Sequence, residues 1–222
     1  MITLMAAIDL NGKVAIVTGA GHGMGRVIAE ALAAAGARVA VNDINPDRAY
    51  RAAAELREIG FAAVGIMADV GNRFQCVHLI ETTRAEWGRV DILINCAAIA
   101  PAAAVLKMDD WELMRVVDVN LKGVFFMCQL VGRVMADRNR AAPDAGGTVI
   151  VNLVAPEPAG TGRAAYAATQ AALPAFTRAC AREFAPLGIR VHAVTTSDSP
   201  EATAAAVMET VVGGQWSVAG DN

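Results

Sequence analysis

The most constraining feature of the chain is a glycine-rich stretch between an apolar run and an alanine-rich segment. Val14–Thr18 leads into Gly19–Gly25, and an alanine-rich sequence follows. In the order strand, glycine turn and helix, the missing Cβ atoms let the backbone approach a pyrophosphate at the positive N-terminus of a helix. Asp43 follows the next apolar run, at the separation expected for a carboxylate that bonds a ribose diol. The pattern predicts a dinucleotide site, and its alternative is a tight turn with a solvated aspartate.

The charge of Asp43 also bears on which dinucleotide the site takes. A 2′-phosphate on the adenosine ribose would meet this carboxylate with like charge. The sequence therefore predicts NAD as the cofactor in preference to NADP.

Short runs rich in valine and isoleucine alternate with longer helical segments along the whole chain. Continuous apolar strands that alternate with helices indicate a parallel sheet covered on both faces. We therefore predict an α/β fold, a single Rossmann-type doubly wound parallel sheet of about seven strands, as one domain over 1–222. The predicted strands are Val14–Thr18, Arg38–Asn42, Ala62–Met67, Asp91–Asn95, Gly147–Asn152, Val191–Val194 and Gln215–Val218.

Two helices carry recognisable start signals. Asp109 with Glu112 forms a capping box for a long helix that runs toward Met135. Ser199, followed by Pro200, is a cap with proline at the first helical position.

Composition excludes several classes of protein. The 222 residues are 55% hydrophobic and 18% charged with a net charge of −3, which excludes general disorder and gives no electrostatic footprint for nucleic acid or an anionic membrane. The chain has three histidines and no cluster of cysteines or histidines, so we expect no metal site. Its four cysteines are scattered along the sequence and fit reduced thiols. Without a basic leader or a spanning apolar run, we expect a cytoplasmic location.

With these residues in view, the chain resembles the classical short-chain dehydrogenase/reductase family, whose glycine motif is Thr-Gly-x-x-x-Gly-x-Gly. Further matches are Asp69-Val70, Asn95-Cys96-Ala97-Ala98, Asn120 and Tyr166. The resemblance implies an oxidoreductase for alcohols or ketones, with Tyr166 as acid/base and Asn120 supporting a water relay. On their own, both asparagines would be interpreted as backbone-bonding residues and Tyr166 as packing. The implied cofactor-binding residues are Gly19, Gly21, His22, Gly23, Met24, Gly25, Asp43, Asp69, Val70, Asn95, Ala97, Tyr166 and Gln170.

Two catalytic positions depart from the family pattern. Leu153, thirteen residues before Tyr166, stands where the spacing puts the family's serine, and Gln170 stands where the family has a lysine. Gln170 lies one helical turn after the tyrosine and can still donate to a ribose hydroxyl, but it brings no charge. A tyrosine with a pKa near 10 is only about one part in a thousand ionised at pH 7, and lost acid/base assistance costs roughly 10² to 10⁴ in rate.

Compared with the family, the segment that covers the substrate is also shortened here, over 195–214. Only one short helix is predicted between the sixth strand and Gly213. A more open site admits water, whereas hydride transfer benefits from a closed, dry pocket.

Three hypotheses of function follow from these departures. The favoured one is an NAD-binding protein of this family that is weak or inactive as an enzyme and acts as a structural or regulatory subunit. The second is an active NAD-dependent oxidoreductase with a non-standard set of groups that includes Tyr166 and Asn120. The third is a non-redox enzyme that uses Tyr166 as an acid.

The resemblance further implies an oligomer. The helix from Asp110 to Met135 and the alanine-rich helix from Ala164 match the pair that family members pack across a subunit interface, although those alanines could equally pack on their own sheet. The prediction is a homo-oligomer, dimer or tetramer, or a hetero-oligomer with an active relative.

Overall fold

A single parallel sheet forms the centre of the computed structural model, which describes residues 8–142, 147–156 and 160–213. Its spatial order is β3-β2-β1-β4-β5-β6, and every neighbouring pair is parallel. This order confirms the predicted doubly wound arrangement, with six strands in the described residues. The seventh predicted strand, Gln215–Val218, lies outside them. The six are β1 Val14–Val17, β2 Arg38–Asp43, β3 Ala63–Met67, β4 Ile92–Asn95, β5 Thr148–Val154 and β6 Ile189–Thr195.

Helices cover both faces of the sheet, as continuous apolar strands require. One buried core lies between the sheet and α1, α2 and α7, and the other lies between the sheet and α3, α5 and α6. The helices are α1 Gly23–Ala34, α2 Pro46–Glu58, α3 Arg73–Trp87, α4 Asp110–Val117, α5 Val124–Ala141, α6 Ala164–Phe184 and α7 Pro200–Val212, with a π-helical turn Asp118–Gly123 and a 3₁₀ turn Ala185–Leu187.

Short polar side chains cap the N-termini of most helices other than α1, which follows the glycine turn. Asp109 Oδ1 accepts from the Glu112 backbone N–H at 2.7 Å, and Ser199 Oγ accepts from Ala202 N–H at 3.1 Å, so both predicted caps are confirmed. Asn45 and Asn72 cap α2 and α3 in the same way.

The described strands that differ most from their predicted bounds are β5 and β6. Strand β5 continues past Asn152 to Val154, and β6 spans seven residues, Ile189–Thr195. The extra length comes from pairing: Leu153 and Val154 are partnered with Val194 and Thr195. Leu153 is therefore a strand residue.

The segment Asp110–Ala141 is long and apolar enough to cross a membrane by length and composition alone, but half of its most apolar stretch is buried in the fold. Its buried side chains, such as Met127 and Met135, contribute to the core beneath α3 and α6. A helix that packs on a sheet needs this same apolar face.

Candidate nucleotide cleft and catalytic positions

A cleft of about 400 Å³ opens where the carboxyl ends of β1, β2 and β4 meet. This is the place where doubly wound sheets bind ligands, because the strand order reverses between β1 and β4. The predicted residues that line it are Gly19, His22, Gly23, Met24, Gly25, Asp43, Asp69, Val70 and Ala97.

The glycine turn leaves room for a ligand only at particular points. Gly23 has φ +56° and no heavy atom within 4 Å of where its Cβ would lie, so the backbone there is open to a ligand. A Cβ on Gly21 would instead lie 2.6 Å from both Asp43 Oδ2 and Arg48 Cβ. The turn thus fits a phosphate-bearing cofactor on its open side and packs tightly against Asp43 on the other.

Asp43 ends β2 with its carboxylate buried below His22. Its Oδ1 accepts from the Asn45 backbone N–H at 2.9 Å, and its Oδ2 lies 3.4 Å from His22 Nδ1. Arg48, in the first turn of α2, lines the same cleft. Arg48 is not among the residues predicted from the sequence; the local signal for it is a basic residue three positions after Asn45, which caps α2.

Asp69 is already engaged by neighbours. Its Oδ2 forms a 2.9 Å ion pair with Arg115, and its Oδ1 accepts from Gly71 N–H at 2.9 Å. Arg115 also lines the cleft. Forty-six residues separate the partners in the sequence, so no local pattern could reveal this pair.

Thr18 fixes the floor of the cleft. Its buried hydroxyl accepts from the backbone N–H groups of Cys96 and Ala97 at 3.0 and 3.1 Å and donates to Ile94 O at 3.3 Å. The end of β1 thereby holds the segment that follows β4. This role of Thr18 was not predicted from the sequence, where the residue is only part of the glycine motif.

Asn95 points into the core beside α5 and α6. Its Nδ2 donates to Asn152 Oδ1 at 2.8 Å, and Asn152 Nδ2 donates to Thr177 Oγ1 at 2.9 Å. Asn95 is 4% exposed and is absent from the residues that line the described cleft. The Asn95 side chain thus forms a structural bond between β4 and β5, and its contact with a cofactor stays a prediction.

Asn120 lies in the π-helical turn and clamps the backbone of Ile99. Its Oδ1 accepts from Ile99 N–H and its Nδ2 donates to Ile99 O, both at 2.8 Å. The same Nδ2 lies 3.2 Å from Thr169 Oγ1 on α6. The asparagine thus joins the loop after β4 to the helix that carries Tyr166.

Tyr166 is half-buried in the first turn of α6. Burial raises the pKa of its phenol above the usual value of 10.0; the positive charge of Arg163 opposes this rise, and the nearby Cys96 adds to it. Burial also raises the pKa of the Cys96 thiol to about 12, so the thiol stays neutral at pH 7. A protonated phenol can donate a proton, but it is a poor base.

Gln170 is buried one turn after Tyr166, and its Oε1 accepts from the Ala155 backbone N–H at 2.8 Å. The side chain therefore ties α6 to the end of β5.

Leu153 faces the other side of the sheet. It packs in the core beneath α1 and α7, whereas α6 covers the opposite face. A spacing of thirteen before Tyr166 therefore does not place the side chain of residue 153 beside that tyrosine. The β5 residue that meets Gln170 is Ala155, eleven residues before Tyr166.

The connection from β6 to α7 is short. Thr195 ends β6 and Pro200 begins α7, so only residues 196–199 lie between them. Ser197 N–H donates to Thr203 Oγ1 at 3.0 Å, which holds this link against the first turn of α7.

The sheet order, the glycine turn and the cleft define a nucleotide-binding protein of the doubly wound α/β class. The sequence profile of the short chain dehydrogenase family matches residues 13–209. The chain belongs to this family, in its classical branch.

Three relatives illustrate the likeness. The D-threitol dehydrogenase of Mycolicibacterium smegmatis is 36% identical over 190 residues, which are 84% of this chain and 70% of that protein. The crystal structure of a 3-ketoacyl-(acyl-carrier-protein) reductase from Brucella melitensis, complexed with NADH, has a TM-score of 0.83 at 28% identity and covers 92% of this chain and 93% of that one. A gluconate 5-dehydrogenase from Burkholderia cenocepacia, in complex with NADP and tartrate, has a TM-score of 0.76 at 32% identity over 86% and 73% of the two chains. The relatives with bound cofactors thus include one with NADH and one with NADP.

Proposed function

We propose that this chain binds NAD in the cleft beside Asp43 and transfers hydride weakly or not at all. The observation that supports the second half is the bond from Ala155 N–H to Gln170 Oε1, together with the raised pKa of Tyr166. Position 170, which would need a cation, holds the neutral Gln170, and the side-chain oxygen of Gln170 already accepts a backbone hydrogen bond. Less than about one part in a thousand of such a phenol is ionised at pH 7.

The residues present suit the cofactor. Gly23 leaves its backbone open toward the cleft, and the adjoining N-terminus of α1 favours the negative pyrophosphate. Asp43 would accept hydrogen bonds from the adenosine ribose. Val70 and Ala97 would flank the adenine and the part of the cofactor next to it. The bound nicotinamide would supply a carbon that accepts or gives a hydride.

For the chemical step, this chain offers Tyr166 as a proton donor and little else. The lysines Lys13, Lys107 and Lys122 are remote from Tyr166 in the sequence, and Arg163 donates to Ala100 O. Asn120 is bound on both sides by Ile99, which favours a positioning role. We infer that the nearest position for a serine is Ala155, where the chain has no hydroxyl.

Active turnover with Tyr166 and Asn120 is the second candidate, because relatives are named as dehydrogenases and reductases. A non-redox enzyme that uses Tyr166 as an acid is a third, favoured by the protonated phenol alone.

The test is a pair of double variants. Ala155→Ser with Gln170→Lys should raise NADH oxidation across a panel of ketones at least tenfold above the wild type, which should stay near background. The matched control, Leu153→Ser with Gln170→Lys, should gain less, because Leu153 faces away from α6. Wild-type turnover at an ordinary enzymatic rate would overturn the proposal of weak transfer, and an absence of NAD binding by calorimetry would overturn the cofactor half.

We also propose that the chain works as an oligomer in the cytoplasm. Free cysteines fit a reducing compartment. An apolar groove of about 240 Å³ between α5 and α6, with Phe125, Phe176 and Phe184 among its lining residues, supports a subunit contact along these two helices. Light scattering of the purified chain, with co-purification, distinguishes a second copy from an active relative as the partner.

A further inference from the structure

His22 places an ionisable ring over the one carboxylate that selects the nucleotide. The side chain of His22 is 65% exposed, that of Asp43 is 4% exposed, and Nδ1 lies 3.4 Å from Oδ2. The backbone N–H of Asn45 already binds Asp43 Oδ1. The carboxylate oxygen nearest the histidine is therefore the one without a backbone donor.

A ribose diol and a protonated histidine would compete for this oxygen. Histidine is the side chain whose charge ordinarily changes between pH 5 and 8. When His22 is neutral, Oδ2 can accept fully from a ribose hydroxyl. When His22 is protonated, it draws the carboxylate toward itself and cancels the negative charge that repels a 2′-phosphate.

The other charged residues around His22 also support a competition between His22 and a ribose for Asp43. On α2, the basic Arg48 also lines the cleft. On α1, Arg26 is bound by Glu30 at 2.6 Å and by Glu55 at 3.1 Å. Across the cleft, Asp69 and Arg115 pair with each other. Asp43 is therefore the carboxylate that faces His22, and a second cation, Arg48, is available to a phosphate.

We propose that His22 couples proton binding to the choice of nucleotide, an inference that rests on the proposed binding of NAD in this cleft. Protonated His22, with Arg48, accepts the 2′-phosphate of NADP. Neutral His22 leaves Asp43 to the ribose diol of NAD. The ratio of NAD affinity to NADP affinity rises as the pH goes from 5.5 to 8.5.

The expected change in the ratio of NAD affinity to NADP affinity is modest, because His22 is exposed and salt screens its charge. An exposed ion pair changes an equilibrium by about two- to fivefold, so the two opposed effects together should move the affinity ratio about tenfold.

Isothermal titration calorimetry of the full chain with NAD and with NADP, at pH 5.5, 6.5, 7.5 and 8.5, tests the proposal without any turnover. The 2′-phosphate itself gains charge in this range, so the informative quantity is the difference between the wild type and His22→Gln. In His22→Gln, the part of the pH dependence of the affinity ratio that comes from His22 should be absent, so the ratio should change less with pH than in the wild type. The matched control His78→Gln, an exposed histidine on α3, should behave like the wild type.

Each outcome decides one proposal. An affinity ratio that follows the same pH course in the wild type and in His22→Gln would overturn the role of His22 while leaving nucleotide binding intact. Binding of neither nucleotide at any pH would overturn the cleft as a nucleotide site, and the role of His22 with it.

Discussion

Tyr166 lies in the first turn of α6, with Arg163 one turn before it and Gln170 one turn after it. Burial outweighs the guanidinium charge, and the pKa of the phenol is raised. A cation closer to the ring, in place of Gln170, would favour the charged phenolate and lower that pKa. The ionisation of this phenol therefore depends on the uncharged side chain at position 170.

The ionisation of Tyr166 can be measured directly because the chain has two tyrosines, and the other is the exposed Tyr50. In Tyr50→Phe, absorbance near 295 nm should show the remaining phenol ionising above pH 10, while circular dichroism stays native. Adding Gln170→Lys should move that ionisation to lower pH.

The raised pKa of Tyr166 also predicts how stability changes with pH. When folding raises the pKa of an acid, the free energy of unfolding falls once the pH exceeds the pKa of that group in the unfolded chain. Above pH 10, the free energy of unfolding of Tyr50→Phe should therefore fall more steeply than that of Tyr50→Phe with Tyr166→Phe. A phenol that ionises at or below pH 10 in Tyr50→Phe would contradict the burial argument.

The catalytic positions show which residue assignments the sequence could support. The structure has Tyr166, Gly23 and Asp43 at the helix start, the glycine turn and the strand end where the sequence predicts them, because local signals fix these elements. Leu153 was chosen by counting back from Tyr166, and a count across a loop carries no information about which face of a strand a side chain takes. Asn95 and Arg115 depended on partners about fifty residues away, which no spacing reveals.

At the scale of elements, the cleft is built from strand ends that hold one another's loops. The end of β1 binds the segment after β4 through Thr18, and the π-helical turn binds the same segment from the other side through Asn120. Residues 96–99 are thus held from two sides, and they line the described cleft. The amide that binds Ile99 is carried by the π-helical turn itself.

Replacing Thr18 tests this arrangement. Thr18→Val keeps the shape but leaves the Cys96 and Ala97 N–H groups without their acceptor, which should lower the free energy of unfolding by about 2 to 4 kcal/mol and weaken NAD binding. Urea denaturation and calorimetry measure the two effects. Thr18→Ser keeps the hydroxyl and should lose much less of both. Equal losses in the two variants would show that packing of the methyl group is responsible.

Element order and type were predictable from the sequence because apolar runs and caps are local signals. The ends of β5 and β6 were not, because the extra residues of each strand are paired only with the other strand. The break in the long helix was also missed, since the π-helical turn Asp118–Gly123 carries no glycine or proline before its last residue to mark it.

At the scale of the molecule, an apolar surface remains along α4 and α5. Trp111 is 74% exposed and Phe125 is 45% exposed, and the Phe125 ring lies 5.8 Å from that of Phe176 on α6. The two core clusters account for much of the 55% hydrophobic content, and this surface accounts for part of the remainder. A contact between subunits would bury it.

Light scattering should accordingly give the wild type a mass that is a multiple of 23.0 kDa. Phe125→Arg puts a charge into the proposed contact and should reduce the mass toward that of one chain. Ile59→Arg, an equally apolar exposed position at the end of α2, should leave the mass unchanged. A wild type that scatters as one chain would exclude self-association, and co-purification with an active relative would then identify a mixed oligomer.

The strand order also has a consequence for how the chain is made. Strands β1, β2 and β3 are complete once residue 67 has left the ribosome, whereas β4, the partner of β1 on its other edge, ends only at Asn95. During synthesis the apolar β1 therefore has one unpaired edge until β4 is made, by which time α1 and α2 of one face and α3 of the other have already been made. The pairing of β1 with β4 joins the early half of the sheet to the late half, and that same event closes the floor of the cleft.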